Sequence, residues 1–515
     1  MSPKILKLIS LLGFAALFAL YGCVGPSSSG NGQGDNGPET SSSSPSPAGG
    51  TSSSSAKDAL TYDEFWDASS AMNISLAFSD SSLKALSDYG VNYSLKYADV
   101  YFPASFSLSF KGKSLSMEEV GVRMKGNNSR EEIVDERGNI IGSCHFKISF
   151  KATFDGDLYD LPQFGSFKHD WSNDAAGRKA RKKRRLADME KVDLKYLPRN
   201  DGKTYSQEIY CFDVFRKCGI EAPLARWSSL SLSDSSSSKT ASYELVESMD
   251  DVFLSHHFAG DSSGDLYKCS TYSGASQGTY LKADLALSGA VSSSFDSSGL
   301  ANGARVEKGK IGVEDNYSLY HPNYQLKTND DGEDSDFSRM SSFINGVYNL
   351  RYKKAPYSLL TTLLDVDSFL RMEALSYCLG NFDDQRNNYN NYFIYFRPSD
   401  ARAVYIPYDW DWSLGATLSV DVSSWKPYHT RTTHDDQSTN SLYWITILNS
   451  SGLSFSEADN RKTYADYVRA WVDDGYLDAE RYESFCSALA GSTHDEYRSV
   501  SSYFSARKNV IAGSW

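Results

Sequence analysis

Asp409 and Asp411 stand two residues apart in IPYDWDWSLG, so in extended backbone their carboxylates share a face while Trp410 and Trp412 turn to the other. Two carboxylates projected together repel unless a cation or a proton lies between them. A second acidic loop, GNFDDQRNNYNN, carries Asp383 followed by Asn387, Asn388, Asn390 and Asn391. Carboxylates and carboxamides are hard oxygen ligands. Together they suit Mg²⁺ riding on substrate phosphates, with Mn²⁺ a possible substitute, better than zinc or copper.

The cations that would face phosphates are scattered along the chain. GVRMKGNNSR (121–130) places Arg123 and Lys125 on one face of a strand that runs into a turn at Gly126 and Asn127, either a phosphate cradle or a merely basic strand end. Lys268 in GDLYK and Lys327 in YQLKT are lone lysines at strand ends. Glu208 falls on an apolar stripe with Cys211, Phe212 and Phe215, where a carboxylate must reach water or find a buried partner. The Asp383–Asn388 interval equals the one by which protein kinases place a catalytic Asp and a metal-binding Asn. No nucleophile elbow and no His-Glu-x-x-His run occurs, which removes support for serine hydrolase and zinc peptidase chemistry.

Specific elements must position these groups. NYFIYF and AVYIPY are rich in β-formers and joined by RPSDAR, so they predict a hairpin whose ends bring Asp383 close to Asp409. Leu364–Leu379 predicts a helix, capped by Asp365 or Asp367, that delivers the chain into the Asp383 loop. Thr204–Cys218 predicts the helix bearing Glu208, with Thr204 as N-cap and Gly219 as its stop. Residues 76–155 and 224–270 read as β, 271–320 as a Ser/Gly-rich surface insertion, and 456–474, 478–490 and 493–511 as helices. The fold class expected is α+β, with a β-rich N-terminal part and a mixed C-terminal part that ends in helices.

The chain of 515 residues, 40% hydrophobic, has ample material for one large domain or two lobes. A net charge of -13 argues against a nucleic-acid partner, and the basic run 178–185 (RKARKKRR) is expected to be a solvated loop. Residues 1–23 have the form of a signal peptide ending in LYGC, similar to a bacterial lipobox with Cys23 as the lipidated residue; Tyr21 is bulky for that motif, so cleavage without lipidation stays open. Residues 24–57 are a Ser/Gly/Pro-rich tether, followed by one domain at 58–416 and its helical continuation at 417–515. The implied location is the cell envelope, with a membrane as partner through a lipid on Cys23. Cys144, Cys211, Cys218, Cys269, Cys378 and Cys486 form no zinc-type spacing, and free thiols and disulfides remain equally open.

Seven segments in order resemble the CotH kinase family: GVRMKGNNS, TYSQEIYCFDVFRKCGIEAP, YELVESMDD, GDLYK, YQLKTN, LGNFDD with NNYFIY, and IPYDWDWSLG. The resemblance spans about residues 90–416. It implies a two-lobed, atypical protein-kinase-like fold that binds ATP and Mg²⁺ and phosphorylates Ser or Thr of surface or secreted proteins. By position, Asp383 would orient or deprotonate the acceptor hydroxyl, and Asp409 would hold Mg²⁺ with Asp411 and Asn388 or Asn391. Glu208 would pair with a phosphate-contacting lysine, Lys268 first and Lys125 second, and Glu247 would line the nucleotide pocket. There are two departures from the family pattern: Ser143-Cys144 stand where lysines are usual, and Gln207 replaces an Arg. The first departure leaves open which cation grips the nucleotide. The alternative is a non-catalytic, kinase-like envelope scaffold or binding protein.

Overall fold

The computed structural model describes residues 60–515 apart from 92–99, 127–128, 142–143, 197–205, most of 271–323, 330–337, 417–420, 430–440, 449–458 and 493–496. Cys23, the tether, Asn127, Ser143 and Thr204 lie outside the described residues. No described helix is long and apolar enough to cross a membrane.

Seven strands close into a barrel in the order β1-β2-β3-β4-β5-β7-β6. They are β1 (Met72–Ala77), β2 (Phe102–Phe110), β3 (Lys113–Lys125), β4 (His145–Ser149), β5 (Lys191–Lys195), β6 (Ala225–Ser233) and β7 (Ser238–Glu247). β2 shows why they fold this way: in FPASFSLSF every second residue is apolar, and Phe102, Ala104, Phe106, Leu108 and Phe110 are all buried. Closure comes from β1, which runs antiparallel to β2 and parallel to β6.

A four-stranded antiparallel sheet follows, in the order β13-β8-β14-β15. It comprises β8 (Asp265–Cys269), β13 (Tyr324–Leu326), β14 (Tyr392–Phe396) and β15 (Ala403–Pro407). Between β8 and β13 lie two short ribbons, β9 (Tyr272–Ser273) with β10 (Tyr280–Leu281) and β11 (Arg305–Glu307) with β12 (Lys310–Gly312). β14 is buried at all five positions, as an unbroken apolar run flanked by strands on both sides should be. Helices, among them Ser338–Tyr352, Val366–Leu379 and Asn460–Asp473, pack into the same apolar core. The architecture is α+β with a β-rich N-terminal part.

The predicted hairpin is present, with Tyr392 opposite Pro407 and Phe396 opposite Ala403. The Val366–Leu379 helix starts at Asp365, whose side chain accepts from the Ser368 N–H at 3.2 Å. It stops at Gly380 (φ +66°), where a Cβ would strike the Tyr503 hydroxyl. All six described cysteines are buried and unbridged.

One expectation of local structure requires correction. The basic run is no solvated loop: Ala175–Lys182 is a helix capped by Asp174. Its arginines tie it to the barrel. Arg178 pairs with Asp155, Arg181 with Glu119 at 2.5 Å, Arg184 donates to the Phe150 carbonyl at 2.6 Å, and Arg185 pairs with Glu190. Lys191–Lys195 forms β5 and Ser338–Tyr352 forms a helix, two elements for which no expectation was set.

Candidate active site

Strand periodicity separates apolar from charged residues across the barrel wall. On β3, β4, β5 and β7, Met124, Phe146, Leu194 and Leu245 join the barrel core. The alternate positions Lys125, His145, Lys147, Asp193, Lys195 and Glu244 therefore stand on the outer face, with Lys147 opposite Asp193 and Lys195 opposite Glu244. The residues after β15, Tyr408 and Asp409, lie against this charged face.

Lys195 is the centre. Its ammonium forms ion pairs with both Glu208 and Asp409. Lys195 and Glu208 are almost wholly buried, whereas the Asp409 side chain is 38% exposed. Glu208 also accepts from the Trp410 N–H at 3.0 Å, and Trp410 packs edge-on against Phe215 of the Glu208 helix, Gln207–Lys217. Burial opposes the charge on Lys195, but Asp409 and Glu208 outweigh it and hold its pKa well above the ordinary range. Burial pushes Glu208 up to about 7 despite Lys195, and opposes ionisation of Asp409, which Lys195 nevertheless holds well below the usual range. Asp409 is thus the better-ionised partner. Glu244 is fully buried, with no hydrogen bond to either carboxyl oxygen among the described residues, and burial followed by Glu208 raises its pKa well above the usual range.

A second knot adjoins the first. Asp193 pairs with Lys125 at 2.7 Å and Lys147 at 3.2 Å and accepts from the Tyr408 hydroxyl at 2.9 Å. Lys125 also donates to Tyr408 at 2.7 Å. Lys268 on β8 lies over the Tyr408 ring at 5.7 Å, and burial followed by Lys125 lowers it to about 8. Burial, then Lys195, pulls His145 down to about 3, so its ring is neutral. Neighbouring lysines that disfavour one another's charge are relieved by an anion placed among them.

Asp383 sits at the other end of the hairpin. It accepts from the side-chain amides of Asn388, of Asn390 at 3.2 Å and of Asn391 at 2.9 Å. Burial raises its carboxyl to about 7, with Asp409 and Asp411 adding to the rise. The hairpin ends are tied together by Tyr408 N–H donating to the Asn391 carbonyl at 3.2 Å. Asn391 and Asp409 both have positive φ, 57° and 61°. Such backbone costs of order 1–3 kcal/mol per residue and clusters where surrounding structure demands it.

Asp383, Asn388, Asn391, Asp409, Asp411, Glu208, Lys125 and Lys268 thus meet in one electrostatic neighbourhood. The expected partner of Glu208 does not hold: neither Lys268 nor Lys125 pairs with it, because Lys195 from β5 occupies that place. Asn388 and Asn391 direct their amide nitrogens to Asp383 and so orient that carboxylate. The Glu247 carboxylate is taken up elsewhere, by the Tyr62 hydroxyl, the Leu224 N–H at 3.1 Å and His257 at 3.0 Å. Arg123 lies against Tyr101 at 5.6 Å, and Gly126 (φ +89°) closes the end of β3. Lys327 bonds Gln325, the register partner of Lys268, at 2.9 Å. Lys195 went unnoticed, although KVDLK alternates charged and apolar residues as a half-buried strand does.

Among the described residues no group of three or more His, Cys, Asp or Glu side chains surrounds one point, which excludes an all-carboxylate cage there. Mg²⁺ usually keeps waters and uses one or two carboxylates plus substrate phosphates. Asp409, with a partly exposed carboxylate, and Asp411 fit that pattern.

A family model described as CotH kinase protein matches residues 160–454, more than half of the chain. The span starts after the GVRMKGNNS strand and runs past residue 416. No curated protein matches the chain.

Proposed function

The chain belongs to the CotH kinase family, and from that premise we propose that it transfers the γ-phosphoryl group of ATP to Ser or Thr hydroxyls of surface or secreted proteins. One observation carries this reading: Lys195 is shared by Glu208 and Asp409 beside Asp383, whose carboxyl titrates near neutrality. Phosphoryl transfer needs positioning and charge neutralisation rather than covalent chemistry from the protein. Lys195, Lys125 and Lys268 meet the phosphates. Asp409 and Asp411 would hold Mg²⁺ or Mn²⁺, and that ion, when bound, neutralises charge on the phosphate oxygens. Asp383 accepts the hydroxyl proton, at a pKa matched to neutral pH. The three asparagine amides fix the direction of its carboxylate.

In this reading the barrel is one lobe of a kinase-like fold and the sheet with its helices is the other. Export, a lipid on Cys23 and Ser/Thr-rich acceptors belong to the same proposal. The scaffold alternative rested on Ser143-Cys144 replacing lysines and on placement outside the cell; Lys195 answers the first by supplying a cation, and on that ground the enzymatic reading is preferred.

The test uses purified full-length chain, Mg²⁺, γ-labelled ATP and a Ser-rich acceptor. Label should enter the acceptor with wild type and fall at least ~100-fold in Asp383→Asn and Lys195→Met. Equal transfer by all three proteins, or by none, removes the kinase reading.

A further inference from the structure

Glu244 is a wholly buried acid beside Lys195 that the proposed reaction does not use. It stands directly across the β5–β7 ladder from Lys195. It is 0% exposed, and neither carboxyl oxygen has a hydrogen-bond partner among the described residues. An unpartnered acid is costly to keep inside a protein, and an apolar side chain of similar size would fill the same space without that cost.

Lys195 has the complementary shortage. An ammonium carries three N–H donors, and Lys195 directs them at Glu208 and Asp409, with no third acceptor among the described residues. Asp409 offers Lys195 its Oδ1 atom. An oxygen that accepts from an ammonium cannot at the same time ligate a divalent ion along the same lone pair. A divalent ion that takes Oδ1 of Asp409, alone or together with Oδ2, displaces the lysine, which must then find another acceptor or stand half-paired in a buried place.

We propose that Glu244 is a positioning residue, the reserve acceptor that receives Lys195 when Asp409 turns to a divalent ion. This rests on the reading of Asp409 as an ion ligand. Glu208 keeps its contact through the exchange, since its other oxygen is anchored on the Trp410 N–H. Lys195 then shifts from an Asp409–Glu208 pair to a Glu208–Glu244 pair and remains in the phosphate region.

The experiment measures Mn²⁺ affinity by electron paramagnetic resonance on the full chain with a non-hydrolysable ATP analogue. Glu244→Leu should weaken Mn²⁺ about tenfold, within the range of coupling between neighbouring residues. Glu244→Gln, which keeps one acceptor oxygen, should weaken it less and covers the case in which the leucine variant does not fold. In a Lys195→Met background Glu244→Leu should have no effect, because no lysine is left to rehouse. A merely structural Glu244 would leave Mn²⁺ affinity unchanged while the melting temperature moved, and that result overturns the inference. The same weakening with and without Lys195 also overturns it. Mn²⁺ binding insensitive to Asp409→Asn would overturn the ion-ligand reading itself; loss in Asp409→Asn with no change in Glu244→Leu overturns this inference alone.

Discussion

Replacing Asp383 with Asn should change how stability depends on pH, in a direction set by the environment of that carboxyl. Burial, opposed by the Asn388 and Asn390 amides and reinforced by Asp409 and Asp411, lifts Asp383 from 3.8 to about 7. At 1.36 kcal/mol per pH unit that is roughly 4 kcal/mol against the ionised form. Solvent around the half-buried side chain reduces it to about 1–3 kcal/mol. The folded state holds the proton more tightly than the unfolded chain. Wild type is therefore most stable, relative to Asp383→Asn, below about pH 4; the advantage falls as pH rises to about 7 and stays flat above. The variant also loses the hydrogen bond from Asn391, about 1 kcal/mol at every pH, which cancels when two pH values are compared. Urea unfolding of both proteins at pH 4.5 and pH 8 reads the difference. The variant should gain about 1–3 kcal/mol on wild type between them, while losing phosphoryl transfer. Parallel stability curves would refute the reasoning, since Asp383 would then be an ordinary solvated carboxylate.

Lys195→Met leaves Glu208 and Asp409 without their shared cation and should cost about 3–5 kcal/mol in urea unfolding; unchanged stability would show that the ion pairs do not form. Lys268, lowered by burial and Lys125 to about 8, should make the affinity for an ATP analogue fall as pH rises from 7 to 9, and calorimetry should find that slope flattened in Lys268→Gln. Glu247→Gln should destabilise by about 1–3 kcal/mol without altering the KM for ATP, because its carboxylate serves Tyr62, Leu224 and His257. His257, which burial alone would lower, is raised from 6.5 to about 9 by Glu221 and Glu247. Its contribution to stability should be complete below about pH 6.5 and lost as pH rises through 9, and Glu247→Gln should shrink that loss in a thermal-melting series.

The parts of this site that were legible in sequence are those within one short stretch. NYFIYF and AVYIPY have the composition of buried strands, and a hairpin leaves little freedom in where its ends go. That is why Asp383 and Asp409 were brought together on paper as they are in the molecule. The Glu208 helix was equally plain from its apolar stripe. Which lysine meets Glu208 was not legible, because that pairing depends on how a barrel strand from residues 191–195 lies against a helix and a loop near residue 409. Lys125 and Lys268 were near misses: both lie in the same neighbourhood but face Asp193 and Tyr408. The surroundings of Glu247 were not legible either. Only register shows that Glu244 stands opposite Lys195 while Glu247 turns to His257. The RKARKKRR run looked solvated because charge density alone says so; its acidic partners, Asp155, Glu119 and Glu190, are spread along the chain and converge only on folding.

The central claim is that one divalent ion and one nucleotide are held between Lys195, Asp409 and Asp383. The most direct measurement is the anomalous signal of Mn²⁺ in crystals grown with a non-hydrolysable ATP analogue. A peak within about 2.2 Å of an Asp409 oxygen and of a phosphate oxygen, with Lys195 facing the phosphates, is the predicted result. Nucleotide bound elsewhere, with the Lys195–Asp409 pair intact and no metal at Asp409, would contradict it.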